Sequence, residues 1–195
     1  MGGVIYDIDY NKTINAFKNL GIKNFEQIID KAGQQNFFND FETGKLSKSE
    51  FFTKINSLVQ DPLTDFQITS AWNSMLLNFM PDAIDCLDKI SSRYRLFLLS
   101  NTNEIHIDFI LHQVGQKYFS FFCKKFEKVY LSYEIGKRKP HSYVFEDVIK
   151  ENFLKKNETL FIDDSIQHIN GATSAGLKAH HLNIGESISS FFRVD

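Results

Sequence analysis

From Pro81 onward, short apolar runs alternate with helical stretches, and this alternation constrains the fold more than any other feature of the chain. Asp82 to Ser91 repeats apolar residues at helical spacing, with Ala83, Leu87 and Ile90 on one face. Tyr94 to Leu99 is a run of the length and character of a buried strand. A helix over Ile105 to Val114 follows and is closed by Gly115. Lys128 to Leu131, Leu160 to Ile162 and Ala179 to Leu182 read as further strands, separated by helices over His141–Lys150 and Ile166–Ala175. Strands joined through helices run parallel and are covered on both faces. The pattern predicts an α/β fold with a doubly wound, Rossmann-like parallel sheet. Such sheets bind ligands beyond the carboxyl ends of their strands, so the residues that follow each strand carry the functional argument.

Residues 11 to about 80 read differently. Ile14, Phe17 and Leu20 share one helical face, as do Phe25, Ile28, Ile29 and Ala32, with Gly21 and Gly33 as terminators. Ser47 and Glu50 form a capping box ahead of Phe51, Phe52, Ile55, Leu58 and Val59. Thr64 is placed to cap a helix built on Ile68, Ala71, Trp72, Met75, Leu76 and Phe79. No strand pattern is visible here, and the stretch predicts a helical bundle. Asp40 to Lys45 faintly resembles a calcium loop but lacks its glycine and its last glutamate, and reads as an interhelical turn. The Phe37-Phe38-Phe41 and Phe51-Phe52 clusters are expected in the core, with one or two of them open to a role in substrate selection.

Composition narrows the class of function. Apolar residues make up 43% of the 195, enough for a sizeable core. The 22 basic and 24 acidic side chains are mixed along the chain, giving a net charge of −2 and no support for nucleic-acid binding. No run approaches the roughly 18 apolar residues of a membrane span. Cys86 and Cys123 have no metal-ligand spacing and make no disulfide framework, which favours a reducing, cytoplasmic setting. A monomer or weak dimer is expected.

Three signals stand at the strand ends. Ser100-Asn101-Thr102-Asn103 follows the Tyr94–Leu99 run, Asp163-Asp164-Ser165 follows Leu160–Ile162, and Gly136-Lys137-Arg138-Lys139-Pro140 precedes a helix between them. Phosphoryl transfer needs negative charge neutralised on three equatorial oxygens. A Ser100 hydroxyl with following backbone N–H groups holds one oxygen and Lys139 another. Magnesium takes oxygen ligands and shares the phosphate with one or two carboxylates, for which Asp163 and Asp164 are suited. Each signal also has a plain reading, as turn hydroxyl, solvated lysine or helix cap.

These stretches, with Leu98-Leu99-Ser100-Asn101, Arg138-Lys139-Pro140 and Phe161-Ile162-Asp163-Asp164-Ser165 at their centre, resemble motifs II, III and IV of the haloacid dehalogenase superfamily. Within subfamily IA the chain looks most like the α-D-glucose-1-phosphate phosphatase group. The resemblance implies a hydrolase core over residues 1–9 and 81–195, interrupted by a helical cap over 10–80. It implies Mg2+ as cofactor and hydrolysis of a small phosphomonoester, a sugar phosphate among them, through an aspartyl-phosphate. Asp164 is then the direct metal ligand, and Asp163 acts behind it or through water. Lys139 clamps phosphate and pairs with the carboxylates, and Ser100 binds phosphate. Asn101 contributes its backbone N–H, leaving its side chain replaceable. His168 stands where many relatives carry a third acidic residue.

The resemblance leaves two registers for the nucleophile. In one, Gly2-Gly3-Val4 follow the catalytic aspartate, which then lies just upstream of Met1 together with most of the first strand. In the other, Val4-Ile5-Tyr6 end a short strand and Asp7 is the nucleophile, with Asp9 the general acid. Two alternatives to a phosphatase remain: an inactive phosphate- or metal-binding relative, and a dehalogenase, which would not need the acidic pair.

Overall fold

The computed structural model describes residues 1–30 and 37–192. Strand β1 (Tyr6–Ile8) leads into helices α1 (Tyr10–Asn19), α2 (Phe25–Asp30), α3 (Phe37–Glu42), α4 (Lys48–Asn56) and α5 (Asp65–Asn73). Strand β2 (Leu76–Phe79) then returns antiparallel to β1, with Tyr6 opposite Phe79 and Ile8 opposite Leu76. The capping box at Ser47 forms as expected: Glu50 N–H donates to Ser47 Oγ at 3.4 Å, and Ser47 N–H donates to Glu50 Oε2 at 2.8 Å. Thr64 and Gln67 make a second box at the start of α5. The expected helix end at Ala32 and Gly33 lies outside the described residues.

The helical layer is held by aromatic packing. Phe17, Phe25, Phe38, Phe41, Phe51 and Trp72 are buried in one cluster, with Phe41 stacked on Phe51 at 4.3 Å and Phe38 on Trp72 at 5.3 Å. Phe38, Phe41, Phe51 and Phe52 are therefore core side chains, with Phe37 partly buried against them, whereas Phe66 is exposed. Thr13 ties α1 to the end of α5: its hydroxyl donates to the Ala71 carbonyl at 2.9 Å and accepts from Met75 N–H at 3.1 Å.

The remaining elements are α6 (Pro81–Ile90), β3 (Phe97–Ser100), α7 (Glu104–Val114), α8 (Gln116–Cys123), β4 (Lys128–Leu131), α9 (Ser132–Ile135), α10 (Ser142–Glu151), β5 (Leu160–Asp163), α11 (Ile166–Ser174), β6 (Lys178–His181) and α12 (Ile188–Phe192). β3 pairs with β4 and β5 with β6, both in parallel register. The two pairs share one layer. Leu98 and Ile162 belong to a cluster with Ala83, Leu87, Phe122 and Ile188, while Leu99 and Phe161 belong to another with Val144, Phe145 and Ala172. Alternate residues of each strand thus face opposite helical coats, as in a doubly wound sheet. Ser100 and Asp163 close β3 and β5 at the same edge.

Sequence expectation and structure part in strand bounds, where the runs expected over Tyr94–Leu99 and Ala179–Leu182 are strands over Phe97–Ser100 and Lys178–His181, and at two places of larger consequence. Leu76 to Phe79 is a strand rather than the last turn of a helix, because α5 ends after Asn73 and the run pairs with β1. The Val4-Ile5-Tyr6 run is a turn entering β1: the Met1 carbonyl accepts from Ile5 N–H at 2.9 Å and Tyr6 N–H at 3.1 Å. Asp7 consequently lies on an exposed antiparallel ribbon, and Asp9 caps α1 by accepting from Asn11 N–H at 3.0 Å. Among the described residues no helix is long and apolar enough to cross a membrane.

Candidate active site

The loop after β3 is rigid by construction. Ser100 is only 2% exposed, and Thr102 and Asn103 behind it are buried. The Ser132 hydroxyl spans Thr102, accepting from its N–H and donating to its carbonyl, each at 2.9 Å. Asn103 caps α7 by accepting from His106 N–H at 3.1 Å.

Asn101 does more than its backbone. Its side-chain amide donates to the Lys139 carbonyl, and its Oδ1 accepts from Lys139 N–H, both at 3.0 Å. The side chain expected to be replaceable is the strut that fixes the lysine segment to the end of β3. Lys139 precedes Pro140 across a cis peptide. Gly171 of α11 lies under this bond, where a Cβ would collide with the Pro140 carbonyl oxygen. Only glycine lets the helix approach so closely.

Lys139 and Asp163 form a buried ion pair, with Nζ to Oδ2 at 2.7 Å. The other Asp163 oxygen accepts from Ser165 N–H at 3.0 Å and from His168 Nδ1 at 2.7 Å. Burial would raise the Asp163 carboxyl; the His168 hydrogen bond and the Lys139 charge overcome it and hold the group well below the usual carboxylate range. Both oxygens are thereby engaged, which fits a supporting role.

Asp164 is different. It opens to solvent, its carbonyl accepts from His181 Nε2 at 3.0 Å, and its carboxylate packs against Gly3. Gly3 has φ +72°, and a Cβ there would overlap the Asp164 carboxylate. Desolvation and the adjacent Asp163 charge push the Asp164 carboxyl up. An exposed carboxylate crowded by a second one suits a hard cation. No three His, Cys, Asp or Glu side chains converge on a metal position among the described residues. A magnesium ion needs only one or two protein carboxylates when water and substrate oxygens complete its shell, and Asp164 beside Asp163 is of that kind.

The structure brings Ser100, Asn101, Lys139, Asp163 and Asp164 to one edge of the parallel layer. The sequence reading missed His168 as a partner of Asp163. Its signal was its place in the first turn of α11, which returns it toward the end of β5. Tyr10 and Glu42, which carried no sequence signal of a role here, also stand near this edge, and Glu42 pairs with Arg138 of the lysine motif.

The arrangement is that of a known class. A family model for haloacid dehalogenase-like hydrolases matches residues 1–176, and the chain belongs to that family. It is 33% identical over 181 residues to a D-ribitol-5-phosphate phosphatase of Bacteroides thetaiotaomicron, covering 91% of this chain and 86% of that one. A haloacid dehalogenase family enzyme of the same organism, crystallised with magnesium and inorganic phosphate, superposes with a TM-score of 0.86 at 33% identity, over 99% of this chain and 96% of that one. A predicted hydrolase of the family from Porphyromonas gingivalis gives a TM-score of 0.83 at 30% identity, over 99% and 93%.

Proposed function

We propose that this protein is a magnesium-dependent phosphatase that hydrolyses a small phosphorylated metabolite, a sugar or polyol phosphate, through an aspartyl-phosphate. In this reading residues 1–9 and 81–195 form the hydrolase core and residues 10–80 its cap. The observation that carries it is the buried Lys139–Asp163 pair with exposed Asp164 beside it, at the carboxyl ends of two parallel strands. The similar phosphatase and the structure with magnesium and phosphate support the same reading.

Ser100 and the N–H groups after it hold one phosphate oxygen, and Lys139 neutralises another. Asp163 keeps Lys139 oriented, and Asn101 fixes its backbone. Bound at Asp164, magnesium supplies charge neutralisation of the phosphoryl oxygens. Met1 lies beside Lys139, Asp163 and Asp164 at this same edge. The unpaired cysteines Cys86 and Cys123 support work in the reducing cytoplasm.

A second reading, phosphate and metal binding without turnover, is favoured by the placement of Asp7 and Asp9 on the ribbon and at a helix cap. One experiment separates the two. Protein purified from its native source is offered a panel of phosphate esters with Mg2+ or with a chelator, and free phosphate is measured. Metal-dependent release supports the phosphatase. Phosphate and metal binding with no release from any ester would leave the binding protein.

A further inference from the structure

Helix α10 ends in a way that its own stability does not ask for. The Phe153 N–H donates to the Lys150 carbonyl at 3.3 Å, and the Leu154 N–H donates to the Ile149 carbonyl at 2.9 Å. A helix closed like this places the residue after its cap in the left-handed region, where glycine fits. Phe153 stands there with φ +53°, and among the described residues no other non-glycine has a positive φ. A bulky side chain is strained in that conformation. Core packing does not offset the strain. Leu154 takes the inward place, against the cluster of Val144, Phe145 and Ile149, and Phe153 is left 91% exposed. A strained backbone and an open phenyl ring on one residue direct attention to what the ring can touch.

The ring stands at the rim of a groove of about 550 Å³ between β4 and α10. Its apolar lining comes from Tyr130, Ile135, Val144 and Val148. Two ion pairs flank the groove, Lys137 with Asp147 and Lys128 with Glu151, and all four side chains are about half exposed. Lys150 adds a cation to the same rim. A projecting ring and an apolar groove on one surface, edged by both signs of charge, are complementary to a copy of themselves. In a twofold contact each Phe153 enters the other copy's groove, and the exposed lysines meet the partner's carboxylates. A partner of one charge sign would instead face like charges along part of the rim. The net charge of −2 sets little long-range repulsion between copies.

We propose that the groove between β4 and α10 seats a second copy of this chain, with Phe153 as the anchor on each side. Buried aromatic anchors carry most of the energy of such contacts, and the charged rim fixes their register. Ser100, Asn101, Lys139, Asp163 and Asp164 take no part, so the contact stands or falls apart from the phosphatase reading.

Sedimentation equilibrium of the full chain over a concentration series tests this. The native protein approaches twice the mass of one chain as concentration rises and returns to one on dilution. Phe153→Gly removes the ring and suits the backbone. Its dimer dissociation constant rises roughly tenfold or more. Its melting temperature, taken dilute enough that the native protein is monomeric, is not lowered. Val148→Lys puts a charge into the groove and weakens the dimer likewise. A native protein that stays monomeric throughout, or dimers equally tight in both variants, would overturn the proposal. A dilute Phe153→Gly chain that melts well below the native one would overturn it too, because the ring would then serve the fold itself.

Discussion

Asp163 and Asp164 are neighbours in sequence in opposite surroundings, one buried and paired, the other exposed, and substitution separates the roles proposed for them. Asp163→Asn leaves Lys139 as a buried cation without its counter-charge. Breaking one side of a buried pair costs about 3–5 kcal/mol, so its denaturation midpoint falls sharply. Asp164→Asn leaves the buried pair intact, so the midpoint barely moves while magnesium-dependent phosphate release disappears. Thermal melts and magnesium titrations of the two variants check both halves; full metal-dependent turnover in Asp164→Asn would remove the ligand assignment. Asn101→Ala deletes the two hydrogen bonds that hold the Lys139 backbone, each worth about 1 kcal/mol. The expected result is lower turnover with reduced stability, measured by kinetics and denaturant titration. An Asn101→Ala enzyme of native activity would return the role to its backbone N–H.

At the scale of elements, α11 sets the geometry of the lysine segment through one missing side chain. Gly171→Ala puts a methyl group into the Pro140 carbonyl, so helix and loop must part. Overpacking of this kind costs about 1–3 kcal/mol, and Lys139 moves with the loop. Turnover then falls while the magnesium affinity proposed for Asp164 is unchanged. A metal affinity that drops as far as turnover would show that α11 shifts as a whole instead. Much of this frame was legible beforehand: the runs at Lys128–Leu131 and Leu160–Ile162, the helices around them, and the convergence of Ser100, Lys139 and Asp163 all follow from apolar spacing and from which residues end each strand. What was not legible depends on contacts remote in the chain. Leu76–Phe79 carries an apolar pattern that suits a helix, and only pairing with β1 makes it a strand. The aromatic run of α8 has Phe122 buried between β-layer helices and shows no clean period of its own. Asn101 and Gly171 gain their importance from a segment about thirty or more residues away, which no local signal marks.

The whole molecule is tied together where the helical layer meets α7, and that joint titrates. His106 stacks on Trp72 of α5 at 5.1 Å, and its Nε2–H donates to the Trp72 carbonyl at 3.3 Å. Its Nδ1 accepts from Asn103 Nδ2 at 3.2 Å, and Asn103 Oδ1 accepts from Trp72 Nε1 at 3.4 Å. The ring is therefore neutral, with a fixed tautomer, and the same asparagine caps the helix behind Ser100. Burial pushes the His106 pKa from 6.5 down to about 4. Between those values the unfolded chain binds a proton that the native protein refuses, so stability falls as pH drops, by roughly 3 kcal/mol in all. Asp163 acts in a lower window: its contribution is present above the ordinary carboxylate pKa and is lost only as pH falls below that range. Glu42 and Asp164, whose carboxyls are pushed up, gain on acidification and oppose His106. The difference between native and His106→Gln profiles isolates the histidine. Denaturant titrations from pH 7 to pH 4 should show the native protein losing stability relative to the variant, with the gap closing by about 3 kcal/mol across the window. Parallel profiles would mean that His106 takes up its proton without loosening the joint, and that the helical layer is held to the phosphate loop by packing alone.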